Sequence, residues 1–189
     1  MASMTQEKPH AQVGVSTQTG FPAPAQLATP TDLKKDEVRA VTEAVNPLVA
    51  DAVALYLKTK NFHWHLSGSH FRDYHLLFDE QAEAIFSDVD HLAERVRRIG
   101  GTTLRSVGHV SQLQTIEDDN DDFVSPQQML ERLLADNRHI AEQQRKAIEV
   151  CDEHRDTVTG NLLQEILDGT ERRIWFLFET LQGQTGDKY

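Results

Sequence analysis

Residues 61–99, NFHWHLSGSHFRDYHLLFDEQAEAIFSDVDHLAERVRRI, contain the pattern that decides the fold of this chain. From Phe78 to Ile99, apolar residues recur at alternating intervals of four and three, which is the period of an amphipathic α-helix. Gly100-Gly101 end the pattern, and glycine is a common residue just beyond a helix C-terminus. The stretch therefore predicts one long helix with a continuous buried face.

The rest of the chain predicts three more long helices. The last of them places Ile174, Leu177 and Phe178 on its buried stripe, and Cys151 lies on the apolar stripe of the helix before it. The first helix is predicted from a Thr31-Asp32 cap to Ser67-Gly68, the third from Ser125-Pro126, and the fourth from near Asp156 to Gly183. A short helix is expected over residues 106–113, inside the long connection 102–124.

Two helical hairpins joined by a long connection are typical of a four-helix bundle. We therefore predict an all-α bundle over residues 32–183, with the short extra helix in its central connection. Residues 1–31 are rich in Pro, Thr and Gln and have few groups to bury, so we expect them to form a flexible arm. Residues 184–189 are expected to form a short C-terminal tail.

Composition excludes several classes of function. The formal charge is −11, which disfavours strong binding to nucleic acid or to an anionic membrane surface. A single cysteine, Cys151, cannot form an internal disulfide and fits a reducing compartment. The sequence contains no secretory signal pattern and no uninterrupted apolar run of about 20 residues, so we expect a cytoplasmic protein without a membrane span.

Four polar residues share one flank of the helix that contains Phe78. At about 100° per residue, His75, Asp79, Asp90 and Glu94 fall within one arc of about 100° beside the apolar stripe. Imidazole nitrogens and carboxylate oxygens together suit iron, manganese or zinc. An ordinary solvated flank is the alternative, since Glu83, Arg72 and Arg97 lie on the same arc.

Distance separates the two pairs of candidate ligands. The midpoints of His75/Asp79 and Asp90/Glu94 are 15 residues apart, or about 22 Å along a helix, whereas the metals of a dinuclear site lie about 4 Å apart. One helix therefore cannot bring both pairs to one cluster. Two antiparallel copies can, if a two-fold axis passes near residues 84–85.

Bundle sites within one chain fit the sequence less well. The dinuclear sites of ferritin-type bundles use Glu-x-x-His motifs on two helices, and this sequence contains none. The nearest approximation, Asp136 to His139, occurs once. A hemerythrin-like oxygen site would need several inward-facing histidines, and only His75-x-x-x-Asp79 fits that pattern.

The segments FHWHLSGSHFRDYHLLFDE, DVDHLAERV and IGG resemble the Dps family, the miniferritins also called DNA-binding proteins from starved cells. The resemblance covers about residues 31–183. Its most specific part is a set of five residues at spacings of 12, 4, 11 and 4, namely His63, His75, Asp79, Asp90 and Glu94. The resemblance implies a ferritin-like bundle that assembles into a homo-oligomeric, dodecameric cage.

The resemblance also implies a function. His63, His75 and Asp79 of one subunit would face Asp90 and Glu94 of another, forming a dinuclear iron site at a two-fold interface. This ferroxidase would oxidise Fe(II) with hydrogen peroxide or oxygen and store ferric mineral, protecting the cell and its DNA. Trp64 would lie beside the site and absorb stray oxidising equivalents, or serve as an interface anchor. His65 stands where relatives often have Asn, and we expect it to cap a turn rather than add a ligand.

Two other functions are compatible with parts of the sequence. The first is a DNA-coating, nucleoid-associated protein with little iron chemistry. Members of the family that bind DNA usually do so through Lys/Arg-rich extensions, and residues 1–31 carry no net charge here. We therefore expect weak or absent DNA binding unless Mg²⁺ bridges the two surfaces. The second is a bundle that uses the same five positions for zinc or manganese without oxidation.

Overall fold

A computed structural model of the protein describes residues 22–182. The predicted bundle with a short helix in its central connection is confirmed, and no strand occurs in the described part of the chain. One turn of 3-10 helix, Ala25–Leu27, precedes the helices. These are α1 (Lys35–His65), α2 (Phe71–Arg98), α3 (Val107–Leu113), α4 (Pro126–Glu153) and α5 (Thr157–Gln182).

Local signals in the sequence explain most of the helix ends. The Ser125 hydroxyl accepts the backbone N–H of Gln128, with Pro126 at the first position of α4. At the end of α2, Gly100 adopts a positive φ of 93°. The cap predicted at Thr31-Asp32 is wrong. The N-cap of α1 is Lys34, whose N–H donates to Glu37 Oε2 at 2.7 Å, a bond that neither predicted residue supplies.

The core has two connected parts along the bundle. One lies towards the α1–α2 turn and contains Phe62 and Phe78, while the other lies towards the far end of α2 and contains Leu92 and Cys151. Complete burial of a large apolar side chain stabilises the folded state by about 1.5–3 kcal/mol. α1 packs along α2, and α4 along α5, to form two hairpins. α1 also packs along α4, so the two hairpins bury their apolar stripes against each other.

The prediction for α5 is correct for Leu177, which is fully buried, and wrong for Phe178. Phe178 is 48% exposed, because the next residue along a helix is rotated by about 100° and falls outside the buried stripe. Ile174 is only partly buried. The carboxyl end of α5 therefore presents an aromatic surface.

The central connection is attached to α1 by one buried carboxylate. Asp51 Oδ1 accepts the N–H of Thr115 at 2.5 Å and that of Ile116 at 3.2 Å. Asp51 Oδ2 accepts the hydroxyl of Thr115 at 2.7 Å. Since Asp51 is fully buried, these bonds satisfy a charged group that would otherwise be costly to bury.

Residues 1–21 of the predicted arm and residues 184–189 of the predicted tail lie outside the described residues. Near the 3-10 turn, Arg97 Nη2 donates to the carbonyl oxygen of Leu27 at 2.7 Å. Arg97 thus bonds backbone oxygens here rather than neutralising an acid.

By length and composition α1 could cross a membrane, but 56% of its most apolar 18-residue window is buried in the bundle, as is typical of a core helix.

Candidate metal centre

A tight turn between α1 and α2 brings the first candidate ligands together. Gly68 adopts a φ of +112°, a conformation that is unfavourable for residues with a side chain. Its carbonyl oxygen accepts the N–H of Phe71 at 3.2 Å. Leu66 is buried beside the turn. The last turn of α1 and the first turns of α2 therefore lie side by side, although the residues involved are 12 apart in sequence.

His63 and His75 are held by a reciprocal pair of hydrogen bonds. Nδ1 of His63 lies 2.9 Å from the carbonyl oxygen of His75, and Nδ1 of His75 lies 3.1 Å from that of His63. A carbonyl can only accept, so both Nδ1 atoms carry a proton, and in the neutral form of each ring Nε2 is the atom with a free lone pair. Backbone carbonyls commonly fix metal-binding histidines in this tautomer.

Asp79 completes this half of the centre. It lies one turn beyond His75 on α2, and its Oδ1 is 3.9 Å from Nε2 of His63. The same oxygen accepts a hydrogen bond from Nζ of Lys60 at 2.6 Å. This hydrogen bond, helped by the charge of Lys60, holds the pKa of the Asp79 carboxyl below its ordinary value, against the opposing effect of burial.

Asp90 and Glu94 lie on the same helix, about 22 Å further along its axis. Both are exposed, and Glu94 forms an ion pair with Arg98 one turn away. Within residues 22–182, no three His, Cys, Asp or Glu side chains are arranged to hold a metal ion. The structure thus brings His63, His75 and Asp79 together in one chain and leaves Asp90 and Glu94 apart from them.

Trp64 and His65 extend from the last turn of α1. Trp64 is 59% exposed and lines a groove with Leu57 and Val107, between α1 and α3. Nδ1 of His65 lies 2.9 Å from the carbonyl oxygen of Asn61, one turn earlier. His65 thus bonds to the backbone of the last turn of α1.

The alternative site within one bundle is not assembled. Asp136 forms a 2.7 Å ion pair with Lys58, and Nε2 of His139 lies 2.7 Å from the hydroxyl of Thr115. These two residues bond to other elements instead of sharing a ligand position.

A buried cation lies between α2, α4 and α5. The Arg173 guanidinium donates to Asn137 Oδ1 at 3.0 Å and to Thr170 Oγ1 at 2.8 Å, and lies 3.6 Å from Asp88 Oδ2. Burial raises the pKa of the Asp88 carboxyl and lowers that of Arg173. The cluster of polar side chains around Arg173 therefore contains a positive charge of its own. That charge would repel a metal cation.

Sequence reasoning missed Lys60 and Phe71 beside the centre, and Arg98 beside Glu94. Lys60 lies three residues before His63, so the helical period could have indicated that they share a face. Arg98 follows Glu94 by four residues, which is also a detectable signal. The position of Phe71 depends on the course of the turn, which no spacing rule gives.

A comparison with family models assigns most of the bundle to one family. Residues 42–184 match the model of the ferritin-like domain. The match includes α1 from Thr42 to its end and all of α2, and therefore every candidate ligand.

Known proteins narrow the assignment. The chain is 30% identical over 149 residues to a DNA protection during starvation protein of Agrobacterium fabrum, covering 79% of this chain and 92% of the relative. A Brevibacillus brevis protein of the same name is 30% identical over 145 residues, covering 77% and 97%. The DpsC structure from Streptomyces coelicolor has a TM-score of 0.79 at 30% identity, covering 81% of this chain and 90% of that one. The chain belongs to the Dps family of ferritin-like proteins.

Proposed function

We propose that the protein is a ferroxidase and iron-storage protein, in which Fe(II) is the substrate. The observation that carries the proposal is the pair of imidazoles, whose bonded Nδ1 atoms leave both Nε2 atoms free, beside the Asp79 carboxylate. Two nitrogens and a carboxylate form a donor set that suits Fe(II). On this proposal His63, His75 and Asp79 are one half of a dinuclear site.

Asp90 and Glu94 of a second copy supply the other half. The side chain of Phe86 is 59% exposed on the flank of α2 between the two sets of ligands. The side chain of Leu76 is also exposed on this flank. A second α2 running antiparallel would cover these apolar side chains and place each acidic pair against the partner's histidines. Ile85 is buried, so this contact uses Phe86 and its exposed neighbours rather than Ile85 itself.

The ligands have distinct tasks in the proposed reaction. The carboxylates offset the charge of two Fe(II) ions, and the fixed imidazoles bind them without first having to reorient. Hydrogen peroxide takes one electron from each iron and two protons from solvent, so that two water molecules and two Fe(III) ions result. Pairing the irons matters because a single electron would instead release a hydroxyl radical. Trp64, next to His63 in sequence, is proposed to intercept oxidising equivalents that escape.

Storage is the second part of the proposal. Family membership supports assembly of the two-fold pairs into a dodecameric cage, with the ferric product deposited inside. Such a protein would act in the cytoplasm and remove both iron and peroxide, protecting the cell and its DNA. The alternative of coating DNA directly is not favoured by the chain's charge of −11.

Rapid-mixing absorbance after addition of Fe(II) and hydrogen peroxide to the metal-free protein tests this function. Wild-type protein is expected to form the ferric chromophore quickly, and a His63→Ala/His75→Ala variant only at the rate of protein-free buffer. His154→Ala, at the far end of α4, is the matched control for loss of a histidine. Wild-type rates in the double variant, with its helical circular dichroism intact, would overturn the assignment.

A further inference from the structure

The ring of His75 stacks against two other aromatic rings. The centroid of the Phe71 ring lies 4.9 Å from that of His75, with the two planes inclined by 26°. The His63 ring lies 3.7 Å from that of His75, with an inclination of 21°. Phe71 is the first residue of α2 and lies one turn before His75, and both rings contact the same imidazole.

The hydrogen bonds alone do not fix the His75 ring. Its bond to the carbonyl oxygen of His63 anchors the Nδ1 atom. The ring can still tilt about that anchor, because a torsion to an sp² ring has a broad energy well. A tilt would move Nε2, which is the atom left free for a metal. Contact by Phe71 and His63 restricts that tilt.

Core packing does not account for the phenylalanine at position 71. The side chain is 44% exposed, whereas the apolar residues of the same helix that build the core, such as Phe78, are fully buried. It therefore contributes less burial than a core phenylalanine, and its defined contact on α2 is with the His75 ring. An aromatic ring also shields an imidazole from water over a larger area than a short aliphatic side chain does.

We propose that Phe71 is a positioning residue, which fixes the ring plane of His75 so that Nε2 is aimed before the metal arrives. The inference rests on the proposed function, since it concerns the affinity of that same site. Its physical basis is preorganisation: a ligand held in its binding orientation loses less freedom when the metal binds. Groups that orient metal ligands from outside the coordination shell typically change metal affinity by about 10- to 100-fold.

Titration of the metal-free protein with Co(II), followed by visible absorption, tests the proposal without any turnover. We expect Phe71→Ala and Phe71→Leu to weaken Co(II) binding by about tenfold or more and to alter the absorption bands. Phe71→Tyr keeps the ring and is expected to bind like wild type. Phe178→Leu, at a similarly exposed phenylalanine on α5, controls for the loss of an exposed aromatic ring outside the proposed α2 contact. Size-exclusion chromatography and circular dichroism establish that each variant folds and assembles.

The outcomes separate this inference from the proposed function. Unchanged Co(II) binding in Phe71→Leu would overturn it, as would an equal loss in Phe178→Leu. Phe71→Leu retains apolar volume, so it remains informative if Phe71→Ala does not fold. Failure of wild-type protein to bind Co(II) at all would instead contradict the metal site itself.

Discussion

Nζ of Lys60 lies 2.6 Å from Oδ1 of Asp79, the same carboxylate oxygen that lies 3.9 Å from Nε2 of His63. A lysine ammonium therefore neutralises the one carboxylate in this half of the proposed site. Glu94 has a comparable partner in Arg98. Asp79 and Glu94, one carboxylate in each half of the proposed site, are thus paired with cations of their own chain.

Replacing Lys60 by Gln is expected to strengthen metal binding. A divalent ion must compete with the ammonium for Asp79, and removing one positive charge from its neighbourhood reduces repulsion. We expect Co(II) affinity in Lys60→Gln to rise several-fold, measured by absorbance titration at low ionic strength. Lys146→Gln, on the exposed surface of α4, controls for the change in net charge. Weaker binding in Lys60→Gln than in this control would show that the lysine supports the site instead of competing for it.

Loss of the Asp51 carboxylate is expected to destabilise the fold. In Asp51→Ala the N–H groups of Thr115 and Ile116 lose their acceptor, and an unsatisfied buried donor costs about 1–3 kcal/mol. We expect the midpoint of thermal unfolding to fall by about 5–10 °C, from about 2–4 °C per kcal/mol for a chain of this size. Asp168→Ala, an exposed acid on α5, provides the control, and equal midpoints for the two variants would contradict this role.

Cys151 is expected to be inert in the folded protein. It is fully buried, and burial, followed by the charges of Asp156 and Asp152, raises the pKa of its thiol to about 12. A thiol-specific chromogenic reagent at pH 8 should react only after unfolding, because the thiolate is the nucleophile. Above pH 9 the unfolded chain can ionise this thiol while the folded chain cannot, so the group lowers stability as pH rises. Rapid labelling of native protein would contradict the buried position.

DNA binding is expected to be weak. In an electrophoretic mobility assay near physiological ionic strength, the full chain should leave a linear duplex unshifted, because a charge of −11 per subunit repels phosphate. Adding Mg²⁺ is the informative comparison, since the ion can bridge two negative surfaces. A Mg²⁺-independent shift at that salt concentration would contradict the prediction and favour the DNA-coating alternative.

Periodicity and terminal residues predicted much of this fold, and their failures have physical causes. The 4–3 spacing through Phe78 and Leu92 identified the buried face of α2, and Gly100 identified its end. The start of α1 was misplaced because its cap uses the Glu37 carboxylate from inside the helix, beyond the Thr31-Asp32 pair. Phe178 was misplaced because hydrophobicity alone does not distinguish a core stripe from an exposed aromatic surface.

The candidate centre was predictable only as far as spacing along one helix extends. The pairing of His75 with Asp79 follows from an interval of four residues. The contact of His63 with His75 instead depends on the turn at Gly68, and the roles of Lys60 and Phe71 depend on side-chain packing. Such contacts join separate elements and are not determined by sequence separation.

Complementation between two inactive variants tests the central claim, that two chains share each site. His63→Ala/His75→Ala removes both imidazoles of one half-site, and Asp90→Ala/Glu94→Ala removes both ligands of the other. Each variant alone should lack rapid Fe(II) oxidation, whereas co-assembly in equal amounts should restore about a quarter of the wild-type sites, since random pairing across a two-fold axis joins two intact halves at that frequency. No recovery in assemblies shown by mass spectrometry to contain both variants would contradict a shared site, as would rapid oxidation by either variant alone.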